Sequence, residues 1–308
     1  MPRRVRSCLL TFVTLAALLP PLIPAAQTMQ PGEVAATASL TGINQFDTNI
    51  DGGGKFGWSG IFASGSASRQ VTAELALGMN ARYDYQNWNF NSPVAFGGRG
   101  PWNNLVSISL GLDFDYLAAS GLSLGVSPTV GWSYESGAKT GVAVEWGAVF
   151  TVAQVFSKDL LVGIGASVFS HMEDTRSYRV SPFLIVKWQI TDRLRLGNPF
   201  SAGITGGAGL ELAYMLDDRW EVAGGAADRS DTFRLKNSGP NANGIGENSF
   251  YPVFARVSYR FAPKTQVDFY VVAIAGGKLT VMNPSGDDLA KADYKTAPAI
   301  SLTLSHKF

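Results

Sequence analysis

Asp47-Thr-Asn49-Ile-Asp51-Gly52 carries oxygen-bearing side chains at the first, third and fifth places and glycine at the sixth, the opening pattern of a calcium loop. The twelfth place, where such a loop needs a bidentate glutamate, is Trp58. Calcium on Asp47, Asn49 and Asp51 is therefore a weak candidate beside a plain glycine-rich turn. His171 is one of two histidines, with Ser167 four residues earlier and Glu173 and Asp174 just after it. A hydrolase needs its base within hydrogen-bond reach of its nucleophile. On a strand, residues four apart are separated by about 13 Å, so Ser167 and His171 form no dyad and a histidine in a loop hydrogen-bond network is the default. Gly163-Ile-Gly165 and Gly206-Gly207 have no helix after them to supply the dipole of a phosphate site. No enzyme, cofactor or resident metal is expected.

The remaining polar groups are spread along the chain, alternating with apolar ones. Asp113 and Asp115, Glu145, Glu211, Arg256 and Arg260, Asp268 and Lys307 fall on the polar parity of apolar segments. Arg82, Asp84, Glu221 and Arg229 do the same. Two uses of such charges are open. Arg256, Arg260 and Lys307 could form a cluster that selects anionic solutes in a polar pore. Alternatively, oppositely charged neighbours pair across strands and fill a narrow interior.

Positioning these groups requires strands. Val106, Ile108, Leu110, Leu112, Phe114 and Tyr116 alternate with Ser107, Ser109, Gly111, Asp113 and Asp115, the period of two that puts apolar residues on one face and polar residues on the other. Short polar turns near Ser66 to Arg69, Ala118 to Gly121, Ser157 to Asp159, Thr191 to Arg193, Asp217 to Arg219 and Ala262 to Lys264 interleave with longer loops rich in Gly, Asn and Asp. Six short turns and seven long loops give fourteen strands. The stretch Leu194 to Leu216 is short for two spanning strands, which leaves twelve as the alternative count. The pattern predicts an all-β fold, a transmembrane antiparallel up-and-down barrel, because a membrane-crossing sheet must close on itself to satisfy its backbone.

Composition agrees with export to a membrane. Arg3, Arg4 and Arg6 precede an apolar run from Cys8 to Ile23 and a small-residue site at Pro24-Ala25-Ala26, the layout of a secretory signal peptide over residues 1–26. The barrel domain is then 27–308. Without the three leader arginines, 22 of the 25 basic residues face 24 acidic ones, a net of −2 that gives no basis for binding nucleic acid. Cys8 is the sole cysteine, so the mature chain has no disulfide and no thiolate site.

The chain ends with Ile300, Leu302, Leu304, His306 and Phe308 on one parity and Ser301, Thr303, Ser305 and Lys307 on the other. This stretch resembles the closing strand of bacterial outer-membrane barrels, which end in Phe after alternating apolar or aromatic residues; His306 stands where Tyr is commoner. Trp188 to Leu196, Gly206 to Tyr214, Asp218-Arg-Trp-Glu221 and Phe233-Arg-Leu235 are similar to an uncharacterised family of such barrels, a domain of unknown function. Phe46-Asp47, Asp51 to Gly54 and Gly100-Pro-Trp102 extend the likeness over nearly all of the mature chain. The resemblance implies a Gram-negative outer-membrane location, contact with outer-membrane lipids, and handling by the barrel-assembly machinery through the C-terminal strand. It implies no activity. The expected function is a passive or substrate-specific pore for small solutes, with a non-conducting barrel that has a binding or structural role through its outer loops as the alternative, and a rim-located lipid-modifying enzyme ranked last. The oligomeric state and the substrate stay open.

Overall fold

The computed structural model describes residues 30–173, 177–199, 204–206 and 208–308. The signal-peptide expectation and Cys8 lie outside them. Among the described residues the chain forms sixteen strands. The first eight are β1 (Val34–Asn49), β2 (Lys55–Gln70), β3 (Leu75–Asn91), β4 (Asn104–Leu117), β5 (Leu122–Glu135), β6 (Val144–Ser157), β7 (Leu160–Ser170) and β8 (Tyr178–Gln189). They are followed by β9 (Leu194–Gly197), β10 (Gly209–Met215), β11 (Trp220–Ala227), β12 (Arg229–Arg234), β13 (Ile245–Ala262), β14 (Thr265–Met282), β15 (Asp288–Asp293) and β16 (Ala297–Lys307).

Fourteen of them, all but β12 and β15, close into an antiparallel barrel by next-neighbour pairing, with β1 joined to β16 from Thr37↔Lys307 to Gln45↔Ala299. The count of fourteen holds although β9 and β10 are short: Leu212↔Leu196 and Tyr214↔Leu194 still pair them edge to edge. Both ends of the barrel sequence lie at the end with the short turns. One expected turn is displaced. Ser66 to Arg69 belong to β2, where Ser66 and Ser64 hydroxyls meet those of Thr37 and Ser39 at 2.8 and 2.6 Å. The chain reverses instead at 71–74, where the Thr72 hydroxyl accepts the Glu74 and Leu75 amides.

Alternation decides what faces outward. Leu110, Leu112, Phe114 and Tyr116 are exposed while Asp113 between them is buried. Leu302 and Leu304 are 54% and 45% exposed on β16, and Thr303 is fully buried. An apolar belt therefore surrounds a polar interior, the reverse of a water-soluble fold. Trp220 and Tyr259 lie ring to ring at 4.6 Å near the turn end, and Trp146 and Tyr178 at 5.5 Å near the loop end. His306 hydrogen-bonds Thr265 at 2.8 Å and meets the terminal Phe308 ring edge-on.

At the loop end β13 and β14 outrun the wall. Phe250 faces the pair Gly276-Gly277, a β-bulge at which the register shifts by one residue. Gly276 has φ +59°, and a Cβ on Gly277 would fall about 1.9 Å from the Tyr294 ring, so this bend needs both glycines. Beyond the bulge β15 pairs with β14, and Tyr294 bridges to Ile50 at the tip of β1. On the other side lies β12.

Candidate functional site

β12 continues β11 without a slip in register: Ala226 pairs with Val253 and Arg229 with Phe250 on the same partner strand, β13. The chain bends between them, where the Asp228 amide donates to the Ala208 carbonyl at 2.9 Å. Past that bend the strand leaves the wall and enters the lumen. Both parities are covered, with Arg229, Ser230, Thr232, Phe233 and Arg234 all buried, and Arg234 forms a parallel bridge with Tyr134 on the far-side strand β5.

Arg234 holds the tip in place. Its guanidinium donates to the carbonyls of Val142 at 3.1 Å, Asn243 at 3.0 Å and Met172. Two of these belong to loops that follow β5 and β7 on the far side of the same rim, so one side chain ties three segments together. Glu135 does the same through its carboxylate, accepting the amides of Asn103 at 3.2 Å and Lys236 at 3.0 Å. Lower on the strand, Arg179 donates to Thr232 at 3.0 Å while pairing with Glu145 at 2.5 Å.

A second contact joins β12 to the wall by charge. On β3, Arg82 Nε lies 2.8 Å from Asp84; on β12, Arg229 Nε lies 3.1 Å from Asp231. The two pairs are close enough for the charges of β12 to act on those of β3. Both guanidinium carbons sit over the Phe62 ring, at 5.6 and 5.7 Å from its centre. Between β12 and the wall a cavity of about 70 Å³ remains. It exists because the inward residues of β4 and β5 are small: Ser107, Ser109, Thr129, Gly131 and Ser133 line it. The Ser107 and Ser133 hydroxyls meet at 2.7 Å.

The interior differs toward the two ends. At the loop end Phe56, Trp58, Trp88, Trp102, Phe233 and Tyr294 form a buried aromatic cluster. Phe56, Trp58 and Trp88 stack, and Trp102 stands edge-on between Trp88 and Phe233. Toward the turn end the interior is ionic. Arg256 grips Glu211 with two nitrogens at 3.0 and 2.6 Å, reaches Glu221 at 2.8 Å and Asp268 at 3.3 Å. Arg195 takes Glu221 from the other side at 3.1 and 2.7 Å, and Ser258 and Gln266 donate to Asp268.

The sequence-derived candidates separate accordingly. Arg256, Glu211 and Asp268 come together in one buried network in which Arg256 and Arg195 face three carboxylates. Arg260 is not part of it. It is exposed at the turn rim and donates to the Asp218 carbonyl at 3.2 Å, because the strand has by then run out of the barrel. Lys307 is exposed at the same rim, where it and Arg195 act on Lys187. The three basic residues thus form no cluster. Asp113 is held by Asn80 at 3.0 Å and Ser127 at 2.8 Å, and Asp115 lies beside it. Glu145 lines the cavity.

Of the calcium candidates, Asp47 pairs with Lys55 at 2.8 Å and Asp51 with Lys295 at 2.9 Å, while the Asn49 carbonyl accepts the Lys295 amide. Each carboxylate thus faces a lysine. Among the described residues no group of three or more His, Cys, Asp or Glu side chains is placed to hold a metal. His171 pairs with Glu173 at 3.1 Å, whereas Ser167 is buried and turned to the Ser181 carbonyl; Asp174 lies outside the described residues. Gly165 lies beneath the Phe183 ring and serves packing.

Sequence reasoning missed Arg234, Glu135 and the cavity wall. Arg229-Ser-Asp-Thr-Phe-Arg234 is polar on both parities, which a wall strand with a lipid-facing side cannot be, and that was the available clue.

No protein-family profile and no curated protein matches the chain. Among solved structures it is similar to an outer membrane channel from Pseudomonas putida F1, with TM-score 0.49, 11% identity, and coverage of 94% of this chain and 99% of that one. It is also similar to the P. putida toluene transporter TodX, with TM-score 0.45, 10% identity and 92% coverage of each chain. A Pseudomonas aeruginosa FadL homologue follows at 0.44, 11% and 92% of each. At these distances the functions of those proteins do not transfer, and the barrel's use has to be drawn from its own interior.

Proposed function

We propose that the chain is a bacterial outer-membrane pore that passes small solutes through the cavity beside β12 and catalyses no reaction. One observation carries the reading: in an interior otherwise filled by the ionic network and the aromatic cluster, open volume is left where β12 faces the small residues of β4 and β5. The apolar belt, the aromatic pairs near both rims and the alternating terminal strand support residence in a membrane. The latch at Arg234 favours a second reading, a barrel held shut that binds a partner through its loops.

Flux separates the two. Protein folded into liposomes, verified by heat-modifiable migration, is placed in isosmotic urea, glycerol, glycine and KCl. At least one solute should enter faster than into protein-free vesicles. Gly131→Leu should abolish that entry, since a Cβ there meets nothing nearer than the Ile108 carbonyl at 3.5 Å and the longer side chain fills the cavity. Folded protein that admits none of the four solutes overturns the pore.

A further inference from the structure

The chemistry of the cavity narrows what can occupy it. Its volume of about 70 Å³ corresponds to about five water positions, at about 10–15 Å³ for each. Five charges line it, and four of them neutralise one another as Arg82 with Asp84 and Arg229 with Asp231. The fifth, Glu145, is neutralised by Arg179. An ion entering this space would lose its hydration and find every opposite charge already engaged, so nothing there offsets its desolvation. Within the wall Ser107 already meets Ser133, Thr129 donates to the Ser127 carbonyl and Thr232 accepts from Arg179, so an apolar solute would desolvate the hydrogen-bonding capacity that these hydroxyls and Ser109 still have to offer. What these groups can serve is a solute that replaces water hydrogen bond for hydrogen bond. Hydroxyls both donate and accept, so they match a ligand made of hydroxyls. The buried Phe169 ring adds one apolar surface against which a carbon backbone can lie.

From this geometry we infer that the cavity is a selective site for small, uncharged polyhydroxylated solutes of about the size of glycerol, and that it excludes inorganic ions while β12 is in place. The inference rests on the pore reading and adds the class of solute. Selection is by charge compensation: hydroxyls and paired charges line the cavity beside Ile108, Trp132 and Phe169, and no surplus charge is left. Asp231 is the residue whose loss would change this, since Asp231→Asn leaves Arg229 as a net positive charge beside the cavity.

Stopped-flow swelling of liposomes containing the full protein tests it, with glycerol and KCl as probes and protein-free liposomes as the baseline. The wild type should swell in glycerol at least threefold faster than the baseline and in KCl at the baseline rate. Gly131→Leu should return the glycerol rate to baseline. With valinomycin present to carry the balancing K+, Asp231→Asn should raise the KCl swelling rate at least threefold over wild type. KCl entry equal to or faster than glycerol entry overturns the polyol assignment and leaves the pore standing; glycerol entry unaffected by Gly131→Leu overturns the location. Neither solute entering, together with exclusion of urea and glycine, overturns the pore and the inference with it. Because Asp231→Asn can weaken folding, Gly131→Leu, whose Cβ would make only ordinary contacts with the Ile108 carbonyl and Ser109, keeps the test decisive.

Discussion

The two halves of the interior are filled by opposite means. Toward the loops, Trp58, Trp88, Trp102 and Phe233 pack like the core of a soluble protein, although the barrel's outer face is also apolar. Toward the turns, Arg256, Glu211, Glu221, Asp268 and Arg195 close the space with charge. An aromatic cluster tolerates imperfect geometry because dispersion and burial are weakly directional. A buried ionic network does not, since each lost partner leaves a desolvated charge. The loop half can therefore accept an inserted strand, while the turn half needs its wall fixed. The cavity lies where the two regimes meet, at the paired charges of β3 and β12.

Perturbing each half should expose the difference. The largest effect is expected at the join: Arg234→Ala removes three carbonyl contacts at the tip of β12, and KCl conductance in planar bilayers should rise at least tenfold over wild type, with new protease cleavage within 235–244. An unchanged conductance would mean that the latch does not govern closure. Arg256→Met leaves Glu211, Glu221 and Asp268 without their shared cation and should cost about 3–5 kcal/mol of unfolding free energy, measured by urea titration in detergent. Trp102→Ala in the aromatic half should lose a similar amount, about 3–5 kcal/mol. Trp102→Phe should lose much less, because the buried indole Nε1 has no hydrogen-bond partner among the described residues. If the two alanine and methionine variants respond alike to partner substitutions, the contrast between directional and non-directional filling is wrong. Gly277→Val forces Tyr294 off the bulge and should cost about 1–3 kcal/mol, visible as a lowered melting temperature.

The smallest effect is at the rim. The Asp217 carboxylate accepts the Arg219 and Trp220 amides at 2.7 and 2.8 Å, which holds its pKa below the ordinary carboxylate value. Its contribution is present above the unfolded pKa of about 3.9 and is lost as pH falls through the lower folded value. Asp217→Ala should therefore lower the urea midpoint slightly at neutral pH and leave it nearly unchanged at pH 2, flattening the acid limb, as read by urea midpoints between pH 2 and 7.

Much of the wall was legible in the chain. Leu110, Leu112, Phe114 and Tyr116 against Asp113 stated which face meets which solvent, because a period of two has one meaning in a strand. Asp217-Asp-Arg219 and Ala118 to Gly121 marked reversals by their turn chemistry. The turn at 71–74 was misplaced since Ser66 and Ser68 look like turn residues until they are seen in the β2 ladder, beside Thr37 and Ala35 of the neighbouring strand β1. The interior was less legible. Nothing in the order of residues says that Phe62 lies under Arg229, 167 positions later in the chain, or that Arg260 and Arg256, four apart on one strand, stand in exposed and buried surroundings. Those facts depend on how far each strand reaches, which side-chain alternation does not encode.

The unbroken register from β11 into β12 has a mechanical consequence. The lumen stopper is the free end of a stave and remains laced to β13 by a six-pair ladder from Arg229↔Phe250 to Arg234↔Ile245. It cannot drop out as a loose loop would. To clear the passage it must either unlace that ladder or tilt together with the β13 tip, and the Gly276-Gly277 kink is the built-in crease about which such a flap would swing.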